Sequence, residues 1–348
     1  MSSTPKPTQL IVFLTIITAL MFVPALYFAK PLLLPFIFST FISLLFSPLV
    51  NYLERVGIPR AINVMAVLCL FIGFVVLAVY LLSEPAQQWW EKLPRLIESV
   101  AVQFHEVAKE ASASGGSSLN IASSVSNGEL SNGTVFSVLG SLLTTTPTIL
   151  SQLMISLFMA YFMMIYGRQL FTQSLKLLDN FSSQRQTVEL VKRIQKDLSS
   201  YIATITLVNA GLGLTVGIVF YFMNIEDPFL WGAFAGVMNF IPYLGPFISM
   251  SCFMLVTFLQ FDSISYSFIV ASLFLGINMV ESQLVTPTLL GKRFSLNPLI
   301  LFLWLIFWGW IWGPMGMLVA VPILVCLNVT LERLDCFGKS YLILRMSE

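Results

Sequence analysis

The sequence predicts an all-α polytopic membrane protein: about six full spans plus two re-entrant helical hairpins (or eight spans), with an inverted repeat in the C-terminal half. Three observations predict it. Hydrophobic residues make up 57% of the 348 positions and charged residues only 10%, far from the mix of a soluble domain. Apolar runs of about 20 residues, the length that crosses a hydrocarbon core of ~30 Å, recur along the chain. Two further runs, Phe229 to Leu259 and Leu299 to Leu331, each carry a Gly-Pro near the middle. As one straight helix either would be about 46 to 50 Å long, too long for a single crossing.

The ordinary spans are Leu10 to Ala29, Pro31 to Leu53, Ala61 to Leu82, Thr148 to Tyr166, Tyr201 to Met223 and Tyr266 to Thr286. The first ends in Lys30-Pro31 without an Ala-x-Ala cleavage pattern, so it reads as a retained span. Lysine and arginine favour cytoplasmic connections. Residues 167–200 hold Arg168, Lys176, Arg185, Lys192, Arg193 and Lys196, which puts this connection inside. Ser83 to Pro147 then lies outside, and Glu54 to Arg60 lies inside with the amino terminus.

Within the outer segment, Ile97, Val100, Phe104 and Val107 recur at helical spacing and predict an amphipathic helix from Pro94 to Glu110. Ala111 to Thr146, rich in Ser, Gly, Asn and Thr, reads as mobile. Val188, Val191, Ile194 and Leu198 mark a second amphipathic helix on the inner side. Both helices read equally as solvated connectors with one packed face. The resulting organisation is 1–82 for scaffold and oligomerisation, 83–147 for the extracytoplasmic helix and loop, and 148–200 for a span with its cytoplasmic helix. Residues 201–331 form a transport unit with two hairpins, and 332–348 a cytoplasmic tail.

Composition also excludes functions. A net charge of +1 without basic clusters gives no purchase on nucleic acid. A single histidine, His105, cannot build a histidine metal cluster or a Ser-His-Asp relay. The cysteines Cys69, Cys252, Cys326 and Cys336 are scattered, which suits packing better than a disulfide framework. Gly338-Lys339-Ser340 lacks the upstream glycine of a P-loop, and Gly211 to Gly217 has the wrong spacing for a dinucleotide fingerprint. The expectation is a non-enzyme with no cofactor, metal or catalytic residue.

Asn209, Pro228 and Gly245-Pro246 recur as Asn278, Pro298 and Gly313-Pro314 at an offset of about 69 residues, the mark of an internal repeat. Gly232-x-x-x-Gly236 and Gly309-x-x-x-Gly313 add a close-packing motif to each overlong run. If each run turns at its Gly-Pro into two half-length helices, it leaves the membrane on the side it entered. The first hairpin then opens outward, Lys292-Arg293 falls in the cytoplasm, and the second opens inward. Broken helices at depth, in paired positions, point to a transporter's substrate site. Two kinked spans would instead place Lys292-Arg293 outside.

Glu281 stands out among the polar residues. Helical spacing puts it on one face with Asn278 and Ser282, and a charge at the bilayer centre costs about 3 kcal/mol or more. Proton or cation coupling is one reading, and an ion pair with Lys292-Arg293 the other. The Asn209 amide bonds either a neighbouring helix or a substrate. Asn239, Pro242 and Tyr243 line the first break, either to present an amide and a hydroxyl to a small polar solute or only to satisfy the turn. Trp308, Trp310 and Trp312 read as interfacial anchors or as cavity lining.

Three stretches carry a resemblance: SPLVNYLERVGIPR (47–60), NFIPYLGPFI (239–248) and NMVESQLVTPTLLGKRFSLNPLILFLWLIFWGWIWGPMGMLVAVP (278–322). The last runs through Glu281, Pro287 to Gly291, Pro298, Trp308 to Gly313 and Ala320 to Pro322. Together they resemble the autoinducer-2 exporter family of bacterial permeases over most of the chain, weakest at 83–147. The resemblance implies a bacterial inner-membrane location, homo-oligomeric assembly and export of small solutes, with autoinducer-2 or sodium–proton exchange linked to some members. It carries over Glu281, Pro287, Gly291, Gly313 and the break from Pro242 to Pro246 as site positions. Many relatives have His where this chain has Asn297, so a titrating role there does not carry over. The expected partners are a small-molecule or ion substrate, the lipid bilayer and further copies of the chain, with no nucleic acid and both termini cytoplasmic.

Overall fold

The computed structural model describes the backbone of residues 23–113, 133–176, 181–290 and 297–334, with residues 18 and 21. It describes the side chains of these except 93–113, 133–150, 181–183, 329 and 331–334. Among the described residues there is no strand. The helices are α1 (Lys30–Arg55), α2 (Arg60–Ala113), α3 (Gly133–Leu175), α4 (Phe181–Phe222), α5 (Pro228–Met238), α6 (Leu244–Phe261) and α7 (Ile264–Val280). A π-helical turn (Glu281–Val285) follows, then α8 (Thr286–Leu290), α9 (Pro298–Trp312) and α10 (Pro314–Leu334).

Six helical stretches are long and apolar enough to cross a membrane: Lys30–Arg55, Arg60–Lys92, Ser151–Leu175, Gln184–Phe222, Leu244–Phe261 and Ile264–Leu290. Five coincide with expected spans. The expected span Leu10 to Ala29 lies largely outside the described residues, as do Gly291, Lys292-Arg293, the tail from 335 and the side chains of the outer amphipathic helix. The sixth stretch is α6, one arm of the first hairpin. Two expectations about the outer segment are corrected. Helix α2 does not stop at Leu82 but continues to Ala113, and α3 begins at Gly133, so 133–146 is helical rather than mobile. Val135, Val138, Leu139, Leu142 and Leu143 recur there at three- and four-residue spacing, and that apolar period outweighs the Ser/Thr/Gly composition.

The chain divides into two compact units. One comprises 1–68, 152–206 and 287–348, and the other 69–151 and 207–286. In the first, the short link after α1 turns at Gly57 (φ +96°), a left-handed conformation that suits glycine. It is fixed by charge. Glu54 accepts from Arg60 (3.1 Å) and Arg168 (3.2 Å), Arg168 also donates to Asn51 Oδ1 (2.8 Å), and Arg60 to the Met164 carbonyl (2.8 Å). The inner face of α4 packs as expected, with Leu198 buried, and Ser199 donates to the Leu44 carbonyl at 2.6 Å.

The second overlong run folds back in this unit. Trp304 Nε1 donates to the Ala320 carbonyl (2.8 Å), Gly309 lies against Met317 and Gly316 against the Trp308 carbonyl. All three contacts are centred on the turn at Gly313, so α9 and α10 are antiparallel arms. Gly313 has φ +69° and ψ −151°, a combination open essentially to glycine.

The first overlong run folds back in the other unit. Phe253 on α6 meets Trp231 and Phe234 on α5 (centroids 6.2 and 6.4 Å). The hairpin's mouth is laced shut: Glu226 N–H donates to Gln260 Oε1 (2.9 Å), and Gln260 Nε2 to the Asn224 carbonyl (2.7 Å). Neither run is a single tilted rod. The arms are nevertheless unequal, because α5 has 11 residues and α6 has 18, about 16 and 27 Å of helix. The turn also sits earlier than expected, at 239–243, while Gly245-Pro246 begins α6. Helix α7 then returns antiparallel to α6, with Phe274 on Phe253 (4.9 Å) and Tyr266 on Phe261 (4.5 Å), and Ser263 caps it by accepting from Tyr266 N–H.

Candidate functional site

Two glycine pairs let the site form. A Cβ on Gly213 would stand 2.7 Å from the Gly232 carbonyl oxygen, and one on Gly236 would stand 2.8 Å from that of Asn209. Helices α4 and α5 therefore touch backbone to backbone, as small-residue seams allow. Gly217, against Phe229, continues the seam, whereas Gly211 meets nothing and is not part of it. One turn beyond Gly236 this approach brings Asn239 against Asn209.

Three asparagines then join in line. Asn278 Nδ2 donates to Asn239 Oδ1 (3.0 Å), and Asn239 Nδ2 donates to Asn209 Oδ1 (2.9 Å). Asn209 is 1% exposed and its own Nδ2 has no partner among the described residues. The two repeat-related asparagines thus converge on the one at the break. Asn278 also stands one turn on from Phe274, which belongs to an aromatic cluster in which Phe253 is edge-on to both Phe220 and Phe274 at 4.9 Å. Trp231 is edge-on to Trp89 at 5.2 Å. Uncharged polar groups beside an apolar cluster can hold a small polar solute by hydrogen bonds without fixing a charge.

The break itself is strained. Tyr243 has φ +64° and ψ −51°, and Leu244 N–H donates to the Pro242 carbonyl at 2.7 Å, which makes a γ-turn of the rare positive-φ form. Such a conformation in a non-glycine residue costs about 1–3 kcal/mol and is held only by its surroundings. Gly245 supplies part of that hold, since it buries its Cα against the Met238 carbonyl. Tyr243 is 55% exposed, and the asparagine line forms without its hydroxyl. Pro242 and Pro246 are half-buried and shape the turn.

Glu281 is buried one turn beyond Asn278 and accepts a short hydrogen bond from Thr286 Oγ1. Thr286 N–H also donates to the Glu281 carbonyl, the five-residue pairing of a π turn. Pro287 explains the widening, because it offers no N–H and its ring would strike the carbonyl four residues back. The expected face is corrected: Asn278 and Glu281 point inward while Ser282 and Gln283 are exposed. No described cation pairs with Glu281. Pro287 is exposed, and Gly313 and the exposed Pro314 make the turn of the second hairpin in the other unit. The tryptophans there separate: Trp308 and Trp312 are buried, Trp312 Nε1 donating to the Leu26 carbonyl (3.0 Å), and Trp310 is exposed. Asn297 caps α9 by accepting from Leu299 N–H (3.0 Å).

Sequence reasoning missed a clasp on α2. Trp89 Nε1 donates to Asp227 Oδ2 (2.8 Å), and Lys92 pairs with Glu226 (2.8 Å) while lying over the Trp89 ring (4.7 Å). Asp227, at φ +52°, holds the start of α5. An aromatic pair followed by a lysine near a span end was the available signal. Its partners, 138 and 134 residues away, were not legible.

A family model described as AI-2E family transporter matches residues 16–335. The chain is 24% identical over 306 residues to the AI-2 transport protein TqsA of Escherichia coli (strain K12), covering 88% of this chain and 87% of that protein. It is 21% identical over 333 residues to the putative transport protein YhhT of the same organism, covering 94% and 93%. To the putative transport protein YrrI of Bacillus subtilis (strain 168) it is 24% identical over 342 residues, covering 93% and 96%.

Proposed function

The chain belongs to the AI-2E transporter family, and from that premise we propose that it exports a small polar solute, AI-2 or a molecule like it, across a bacterial inner membrane. It is a multi-pass membrane transport protein. The observation that carries the finer reading is the asparagine line, which ends in an unpaired donor beside a strained hairpin break. In an apolar unit an unpaired buried amide costs about 1–3 kcal/mol, a cost that a bound solute removes. The α5–α6 hairpin is the moving part: opening it exposes the asparagines, and closing it shields them. The amino and carboxyl termini lie in the cytoplasm. Copies of the chain assemble with one another in the bilayer.

Glu281 couples this movement to an ion. Its buried carboxylate, one turn from the asparagines, gains or loses a proton or cation as the hairpin opens. In proteoliposomes with an imposed proton or sodium gradient, Glu281→Gln is expected to leave solute flux in place but abolish its response to the gradient. An unchanged gradient response removes the coupling role. The same carboxylate supports sodium–proton exchange as a second reading. That reading predicts sodium flux against a proton gradient with no solute present, and a channel-like pore predicts flux that does not saturate.

A further inference from the structure

The asparagine line has a neighbour that no sequence motif marks. Ser249 lies on the inward stripe of α6, with Gly245, Phe253 and Thr257. It is 1% exposed, and its Oγ has no partner among the described residues. This is unusual within the same unit. Thr215, Ser251, Thr257 and Ser267 each turn their hydroxyl back to the carbonyl four residues earlier, the ordinary resting place of a helical hydroxyl. Ser249 has Gly245 at that position and does not use it.

Its level follows from the antiparallel pairing of α6 and α7. Phe253 faces Phe274, and Phe261 faces Tyr266. One turn back from Phe253 is Ser249, and one turn on from Phe274 is Asn278, so the two occupy the same level of the unit. Asn278 leads through Asn239 to Asn209. Four elements therefore each contribute one uncharged polar side chain to a single layer, which holds two unpaired atoms: Asn209 Nδ2, a donor, and Ser249 Oγ, a donor and acceptor.

We infer that Ser249 is the fourth binding residue of this layer, and that the layer takes a hydroxyl or carbonyl oxygen of an uncharged solute. This rests on the transport reading above and adds to it a residue and a charge class. The chemistry selects the class. Asn209 donates to the solute oxygen, while Ser249 either donates to it or, where it is a hydroxyl, accepts a hydrogen bond from it. Among the described residues no cation stands in the layer to repay the desolvation of an anionic group.

The test uses the full chain in proteoliposomes with labelled erythritol and D-ribose, and with D-erythronate as the charged counterpart. The wild type is expected to move the uncharged probes saturably and the carboxylate poorly. Ser249→Ala is expected to raise the half-saturation for the uncharged probes about tenfold, the weight of one neutral hydrogen bond, with the maximal rate kept. Ser249→Thr, which retains the hydroxyl, restores it. Should Ser249→Ala fail to assemble, Ser249→Cys, of similar volume and weak bonding, is expected to show the same rise. Unchanged half-saturation in a variant that still transports overturns the role of Ser249 and leaves the transport reading standing. Preference for the carboxylate overturns the charge class. No flux of any probe by the wild type overturns the inference together with the transport reading.

Discussion

The two hairpins are written on one plan and built to different ends. Each is an overlong apolar run that starts at a proline and holds a GxxxG and a Gly-Pro. In the second hairpin the turn is a glycine in a glycine-only conformation, Trp304 Nε1 crosses to the Ala320 carbonyl of the other arm, and Trp304, Trp308 and Trp312 pack in turn along α9. In the first, the turn places a tyrosine at positive φ, and the residue opening the break, Asn239, accepts a hydrogen bond from Asn278 and donates one to Asn209. The glycines also differ. Gly232 and Gly236 meet the backbone of α4, whereas Gly309 meets the Met317 side chain. One hairpin satisfies its own turn and fills space. Both bury unpaired polar atoms, Trp231 Nε1 and Ser249 Oγ in the first and Trp308 Nε1 and Asn328 Oδ1 in the second, but among the described residues only the first sets its turn in a non-glycine residue at positive φ, the mark of a strained site.

Substitutions can break or sharpen that contrast. Gly232→Ala has the largest expected effect, because its Cβ would strike the Gly213 carbonyl and the Gly217 nitrogen with no flexible side chain to yield. A loss of about 3 kcal/mol is expected, read as failure to elute as a homogeneous species and a fall in Tm. Asn239→Leu comes next. It strands Asn209 Oδ1 and Asn278 Nδ2, costing about 2 kcal/mol, and is expected to abolish solute flux in protein that still folds. Flux at the wild-type level would detach the asparagine line from transport. Tyr243→Gly reverses the usual sign: release of the strained turn raises stability by about 1 kcal/mol, while flux falls because the break no longer returns to one geometry. If flux is unaffected, the strain is incidental. Gly309→Ala is the smallest, below about 1 kcal/mol, because methionine repacks, and flux should be untouched.

Much of this was legible in the chain. The span lengths and the folding back of two overlong runs follow from helix rise and desolvation alone. The repeat pointed to Asn209 and Asn278 as a pair, although not to Asn239 as the residue that joins them. Other features depend on three-dimensional register. Gly-Pro marked the first turn only approximately, since Pro246 serves as well at the start of α6 as in the break. Glu281 and Ser282 part company because neighbouring helical positions lie about 100° apart, so a narrow buried stripe takes one and leaves the other exposed. Ser249 looked like any small helical residue, and only its packing on Asn278's level shows that its hydroxyl is unspent.

The central claim is that the run through residues 228–261 enters and leaves on one face. In a background without the native cysteines, Glu226→Cys and Gln260→Cys should both be labelled by a membrane-impermeant maleimide from the same side of oriented vesicles. Combined in one chain they should form a disulfide, because these positions lace the hairpin's mouth. Labelling of the two from opposite sides would mean that the run crosses the membrane once, and would contradict the account.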